Sequence, residues 1–106
     1  MHKISFTVPP AQASAVKNAM FRAGAGQIGD YKNCYWECLG QGHFHPLLGA
    51  QPAIGRVGES ESLPELRIEM VCSDENLKDV LKALVEAHPY ETPAYGAWPI
   101  ITLENL

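Results

Sequence analysis

Alternating apolar and polar positions predict that the chain opens with a strand followed by a helix. Residues 4–8 place Ile, Phe and Val at every second position, which is the period of a strand with one buried face. Pro9-Pro10 ends this strand, and proline suits the first turn of a following helix. Apolar residues then recur at helical spacing over 11–23, and Gly24 supplies a stop signal.

The second half of the chain repeats this order. A clear alternation over 66–72 predicts a strand, and an apolar stripe over 77–85 predicts a helix that Ser73 can cap. Pro89 disfavours helical geometry at the residue before it and so ends the helix. Residues 95–101 predict a last strand, whose proline places that position at a sheet edge or a bulge.

Between these two units the pattern is weaker. Residues 33–39 predict one more strand, and the segment 40–64 then holds five of the nine glycines and three of the eight prolines. Long segments of this kind are uncommon in small domains and often carry function. Within the segment, short strands are expected around 41–44 and 54–57.

The order of these elements is β-α-β-β-α-β. This order predicts an α+β fold of the ferredoxin-like sandwich type, with two amphipathic helices on one face of an antiparallel sheet. The other face of the sheet then has no cover within the chain. In so small a protein a second subunit is the natural cover, so we expect a homo-oligomer.

Composition and charge narrow the class of protein. At this length we expect one domain spanning 1–106, because domains contain about 50–200 residues. The net charge is −4 and no basic run appears, so we expect no nucleic-acid partner. No apolar run approaches the roughly 20 residues that span a bilayer, so we expect no membrane partner. No cationic stretch followed by an apolar one opens the chain, so we do not expect secretion by a signal peptide. Three cysteines, an odd count, argue against a disulfide framework and favour the cytoplasm.

His43 and His45 are the first candidates for chemistry. On a strand, both imidazoles project to the same side, with Cα atoms about 6.6 Å apart. Two ligands are fewer than a structural or a catalytic zinc site needs. Cys38, Glu37 or His88 would have to complete a site through folding or from a second chain. The alternative is a pair of polar loop residues, and their spacing alone does not decide between the two.

The sequence around His88 is the second candidate. His88 stands where the second helix is expected to end, and Glu91 is close enough in sequence to pair with it for general acid–base work. The alternative is a helix stop and rigid turn, with Tyr90 packing against it. Arg56 is the one basic residue of 40–64 and suits an anion contact. We therefore expect Arg56, His88, Tyr90 and Glu91 to be the ligand contacts.

Several motifs together resemble a known family. They are GAGQIG at 24–29, GQGHFHP at 40–46, GAQPAIGRVGE at 49–59, RIE at 67–69 and HPYETPAY at 88–95. Over essentially all 106 residues the chain resembles the small domain inserted in bacterial YqfO proteins, members of the NGG-interacting-factor family. The glycine and HPYE motifs are specific when they occur together.

This resemblance implies a fold similar to that of PII signalling proteins and the cation-tolerance protein CutA, which form trimers. In the full-length family a dinuclear metal site lies in flanking domains, and its ligands have no counterparts in this chain. The HPYE residues match the family motif. At the positions of His43 and His45 the family commonly has Thr and Arg, and Gly96 replaces an acidic residue, so the resemblance implies no shared metal role.

The sequence therefore predicts a cytoplasmic, non-enzymatic, oligomeric binding or regulatory module of the PII/CutA type, with a trimer favoured. Its segment 40–64 would be presented to a ligand or a protein partner. Two alternatives stay open. One is a divalent-metal-binding protein that uses His43 and His45, with a divalent metal ion as cofactor. The other is a hydrolase-associated protein that uses His88 and Glu91.

Overall fold

The computed structural model describes all 106 residues and contains a four-stranded antiparallel sheet with two helices. In chain order the elements are β1 (His2–Val8), α1 (Ala13–Arg22), β2 (Trp36–Phe44), β3 (Glu61–Cys72), α2 (Leu77–Ala87) and β4 (Tyr95–Pro99). The strands lie in the order β2-β3-β1-β4, and each pair is antiparallel. The predicted ferredoxin-like sandwich is confirmed. Neither helix combines the length and the apolar character that crossing a bilayer requires.

The core lies between the sheet and the helices. Alternate residues of β1 and β3 point into it and meet the apolar stripes of α1 and α2. Its twelve buried members are Ile4, Phe6, Val8, Ala13, Val16, Met20, Ala25, Ile68, Met70, Cys72, Val80 and Leu84. Full burial of one Leu, Ile or Phe side chain contributes about 1.5–3 kcal/mol, so this single layer accounts for most of the driving force of folding.

β2 and β3 form a hairpin that extends beyond the core. None of the twelve core residues lies between 26 and 67, and the molecule measures 48 × 24 × 23 Å. We call residues 40–64 the arm. At the base of the hairpin, the Lys17 ammonium on α1 donates to the Glu37 carboxylate on β2 over 2.9 Å. This ion pair fixes the start of β2 against the first helix.

Two strand boundaries differ from the sequence prediction. β2 begins at Trp36 rather than at 33, because Asn33 adopts a φ of 57° and the Cys34 N–H donates to the Gly26 carbonyl in a turn. β2 then continues through 41–44, where only a short separate strand was expected. β3 begins at Glu61 and includes Pro64. Proline is tolerated there because β1 ends opposite Leu66 and leaves Pro64 with one strand neighbour.

Three smaller expectations are corrected. Residues 54–57 form bends and a turn, with Gly55 at a φ of 86°, and no strand. Ser73 makes no capping hydrogen bond, because a short 3₁₀ turn over Asp74–Asn76 separates it from α2. β4 ends at Pro99 rather than at 101, although it is an edge strand, as its proline predicted.

Candidate ligand-binding cavity

A cavity of about 500 Å³ lies where the arm meets the end of the core. The end of β2 forms one wall and residues 45–54 of the arm form a second. Glu65 of β3 and the turn after α2, residues 90–94, form the remainder together with Thr7 of β1. Four separate parts of the sequence therefore meet around one space. Its volume is in the range of small-molecule sites.

Glu65 and Tyr90 form a hydrogen-bonded pair in the wall of this cavity. The Tyr90 hydroxyl donates to Glu65 Oε2 over 2.8 Å, and Glu65 as a residue is only 8% exposed. The other carboxylate oxygen, Oε1, makes no hydrogen bond within the chain. Burial raises the pKa of Tyr90 above its ordinary value, and the bond to the Glu65 carboxylate and its negative charge raise that pKa further.

Gly42 makes room for the Glu65 carboxylate. In the register of the hairpin, Gly40 pairs with Glu65, and Gly42 is the next residue of β2 on the same face. A Cβ atom placed on Gly42 would lie 1.9 Å from Glu65 Oε1 and 2.5 Å from its Cδ. A Cβ at position 42 would therefore force the Glu65 side chain to move from its present position.

His88 is buried behind the cavity and holds its turn in place. Its Nε2 donates to the Thr7 carbonyl over 2.7 Å, and its Nδ1 accepts from the Tyr90 backbone N–H over 3.1 Å. These partners define the neutral Nε2–H tautomer, because a carbonyl only accepts and an amide N–H only donates. With both nitrogens engaged, the imidazole is a positioning group for Tyr90.

Glu91 connects the turn to the arm. Its carboxylate accepts from the Gln51 backbone N–H over 3.0 Å, and the Phe44 and Tyr90 rings lie beside each other with centroids 6.0 Å apart. The arm segment is thus held over the cavity from both sides. The cavity has an aromatic floor with acidic groups at its wall and rim.

The structure places the candidate residues in three settings: four of them line the cavity, His88 is buried outside the lining, and Arg56 is exposed on the arm. His43, His45, Tyr90 and Glu91 all line the cavity, although they are distant in the sequence. His45 Nδ1 lies 2.9 Å from Ser60 Oγ. No three His, Cys, Asp or Glu side chains converge at a distance suited to one metal ion. Arg56 is exposed, lies outside the cavity lining and makes no ion pair.

Sequence reasoning missed Glu65, Gly42 and Phe44. In the alternation of β3, Glu65 is an ordinary polar residue on the face away from the helices, and nothing in the pattern indicates that it is buried. Glu65 becomes part of the cavity wall because β2 pairs with β3 in this register and because the Tyr90 hydroxyl donates to its carboxylate. The one signal in the sequence was the pair of glycines two residues apart at 40 and 42.

The charged residues that line the cavity indicate which charged groups a ligand can carry. Glu65 and Glu91 are the acidic residues of the lining, and it contains neither lysine nor arginine. Phosphate groups are normally held by Arg, Lys or a helix N-terminus. The cavity therefore lacks the usual means of binding a phosphate group.

The fold is of the ferredoxin-like type also found in solved structures of CutA and PII-like proteins. The periplasmic divalent cation tolerance protein CutA of Archaeoglobus fulgidus superposes with a TM-score of 0.66 and 20% identity over 94% of this chain and 84% of its own. GlnK of Bacillus subtilis, solved as an ATP complex, superposes with a TM-score of 0.60 and 14% identity over 94% of this chain and 82% of its own. At these identities the comparison concerns the fold alone.

Other proteins are more similar to this chain in sequence than these CutA and PII-like structures are. The GTP cyclohydrolase 1 type 2 homolog of Mycobacterium tuberculosis is 45% identical over 94 residues, which are 89% of this chain and 25% of that protein. Its Bacillus subtilis counterpart is 41% identical over 100 residues, 94% of this chain and 27% of that protein. A Bacillus cereus protein related to NIF3 superposes with a TM-score of 0.81 and 37% identity over 95% of this chain and 26% of its own.

The chain thus spans about a quarter of the length of the curated relatives it matches. No family model matches the chain. The expected resemblance to one domain of the NIF3/YqfO proteins, itself of the PII/CutA type, is confirmed by these relatives.

Proposed function

We propose that this chain is a non-enzymatic binding module of regulatory type, and that it takes a small molecule into the cavity at the base of the arm. The observation that carries the proposal is the cavity itself, about 500 Å³ in volume, with residues of four chain segments in its walls. Pre-formed concave sites with a few polar groups on an apolar lining are typical of small-molecule binding.

A binding role fits the polar groups better than a hydrolytic one. A general base needs a free nitrogen or oxygen within reach of its substrate. Both nitrogens of His88 are engaged with the backbone, so this imidazole has no free nitrogen, and one oxygen of the Glu91 carboxylate accepts from Gln51 while the other remains free. His88 and Glu91 therefore support the shape of the site, and the hydrolase alternative has the weaker support of the two.

The proposal includes self-association in the cytoplasm, with a trimer favoured. Trp36 pairs across the hairpin with Glu69, and Trp98 pairs with Lys3, so both indoles lie on the sheet face that carries no helix. They are 56% and 42% exposed. Exposed tryptophans on an uncovered sheet face favour burial against a second copy of the chain.

Ligand-observed NMR tests the binding proposal. The probe is a mixture of small organic cations, anions and neutral aromatic molecules, and we expect saturation transfer from the protein to at least one of them. Ala94→Trp fills the cavity and should abolish the transfer, whereas Ala11→Trp, at an exposed position outside the lining, should leave it unchanged. Equal signals from the two variants, or no signal from the wild-type protein, would overturn the proposal.

Divalent-metal binding is the second candidate, because His43 and His45 both belong to the residues that line the cavity. Within one chain they supply two imidazoles, so the remaining ligands would come from Glu91 or from a second copy. Calorimetric titration with zinc and copper tests this candidate. Heat that disappears in His43→Ala would support it, and an unchanged signal with both metals would exclude it.

A further inference from the structure

We infer that the cavity selects an organic cation, a small ammonium compound carried on an apolar or aromatic body. This inference rests on the proposed function, because it names the class of ligand for the same cavity. Three observations carry it: a largely buried carboxylate with one oxygen free of hydrogen bonds, a lining that contains no lysine or arginine, and aromatic side chains in that lining.

The first observation is the state of the Glu65 carboxylate. The residue is more than nine-tenths buried, and Oε2 is held by the Tyr90 hydroxyl while Oε1 has no donor within the chain. Oε1 itself keeps access to solvent, so a ligand can reach it although the rest of the side chain is buried. A ligand N–H group can donate to Oε1, and a positively charged donor forms the stronger, charge-assisted hydrogen bond with this carboxylate.

The second observation is the sign of the charge. Glu65 takes part in no salt bridge, and no lysine or arginine lines the cavity. Glu91 adds a second carboxylate at the rim, on the Gln51 side. An anion in this space would meet two carboxylates and no lysine or arginine, with the imidazoles of His43 and His45 as the basic groups of the lining, so electrostatics favour a cation over a carboxylate or phosphate.

The third observation concerns the body of the ligand. Phe44 and Tyr90 present their rings with centroids 6.0 Å apart, and Pro46, Leu47 and Ile54 also contribute to the lining. Aromatic faces attract ammonium groups, and apolar side chains bury an uncharged body. The ligand is therefore amphipathic, with one donor group for Glu65 and an apolar part for the arm.

Three probes of nearly equal shape test the inference in calorimetry with the full chain. They are benzylammonium, benzyl alcohol and benzoate. We expect benzylammonium to bind about tenfold or more tightly than benzyl alcohol, because a charge-assisted hydrogen bond exceeds a neutral one by about that factor. Benzoate should bind most weakly. Glu65→Gln should remove the preference for the cation, while Glu59→Gln, the same change outside the lining, should keep it.

The outcomes separate this inference from the proposed function. Equal binding of benzylammonium and benzyl alcohol, or a preference for benzoate, would overturn the cation class and leave a binding cavity in place. No binding of any of the three would also overturn it, and the Ala94→Trp comparison then decides independently whether the cavity binds small molecules. If Glu65→Gln fails to fold, Gly42→Ala offers a second variant, because its Cβ displaces the same carboxylate and should abolish the preference.

Discussion

Tyr90 is the residue whose ionisation departs most from its ordinary behaviour. Its pKa is raised above 10.0 by burial and by the Glu65 carboxylate. As the pH rises, the unfolded chain therefore loses this proton before the folded chain does. The contribution of the pair to stability is fully present below pH 10.0 and is lost as the pH rises through the folded-state pKa.

Alkaline titration followed by ultraviolet absorbance checks this behaviour. The chain has four tyrosines, and we expect a phenol step clearly above pH 10.0 that belongs to Tyr90. Tyr90→Phe should delete that late step alone. A single step for all four tyrosines in the folded protein would contradict the expected pairing with Glu65.

Gly42 and Gly40 form a matched pair for testing how tightly Glu65 is held. A Cβ on Gly42 would overlap the Glu65 carboxylate, whereas a Cβ on Gly40 would come no nearer than 4.0 Å to the Glu65 backbone oxygen. We expect Gly42→Ala to lower the free energy of unfolding by about 1–3 kcal/mol, because the buried carboxylate is pushed off its hydrogen bond. Gly40→Ala should be close to neutral. Urea denaturation measures both, and equal costs would show that the carboxylate moves aside freely.

Among the secondary-structure elements, those with strong apolar periodicity were predicted from the sequence and those without it were not. β1, β3 and both helices follow their hydrophobic patterns to within a few residues, because one face of each is buried in the core. β2 has no buried residue, and two glycines interrupt it, so alternation could not define its ends. Its position follows from pairing with β3.

The residues of the cavity could likewise be predicted only where the sequence itself shows their chemistry. His43, His45, Tyr90 and Glu91 were selected because their chemistry is visible in the sequence, and the fold brings these four together. Glu65 was not selected, because its burial depends on strand register and on a turn that follows it by more than twenty residues. Arg56 was selected by charge alone and lies outside the cavity lining.

The loop of the arm is an element that can be removed without touching the core. The Gly58 N–H donates to the Pro46 carbonyl over 2.8 Å, so the ends of 47–57 already lie as close as the ends of a tight turn. Replacing 47–57 by Asn-Gly should keep the helical circular dichroism and change the free energy of unfolding by less than about 1 kcal/mol, because the lower closure entropy of a shorter loop roughly offsets the lost hydrogen bond between Gln51 and Glu91. Binding of benzylammonium should be lost. Global unfolding of this variant would show that the arm supports the core.

At the level of the whole molecule, the sheet has one face packed on helices and one without cover. Lys3, Ser5 and Thr7 alternate with core residues of β1, and Trp98 pairs with Lys3. On the far side of β3, Trp36 pairs with Glu69. Two large aromatic side chains thus flank a polar strip, an arrangement that combines hydrophobic contact area with polar groups that set the orientation of a second copy.

Multi-angle light scattering tests assembly through this face. We expect the wild-type mass at micromolar concentration to be a multiple of 11.6 kDa, with threefold favoured. Replacing both Trp36 and Trp98 by serine should give the monomer mass with an unchanged circular dichroism spectrum, because neither indole belongs to the core. Leu48→Ser removes an apolar side chain that is 97% exposed on the arm and should leave the mass unchanged. A wild-type mass of 11.6 kDa would contradict self-association, and a double variant that stays assembled would place the interface on another surface.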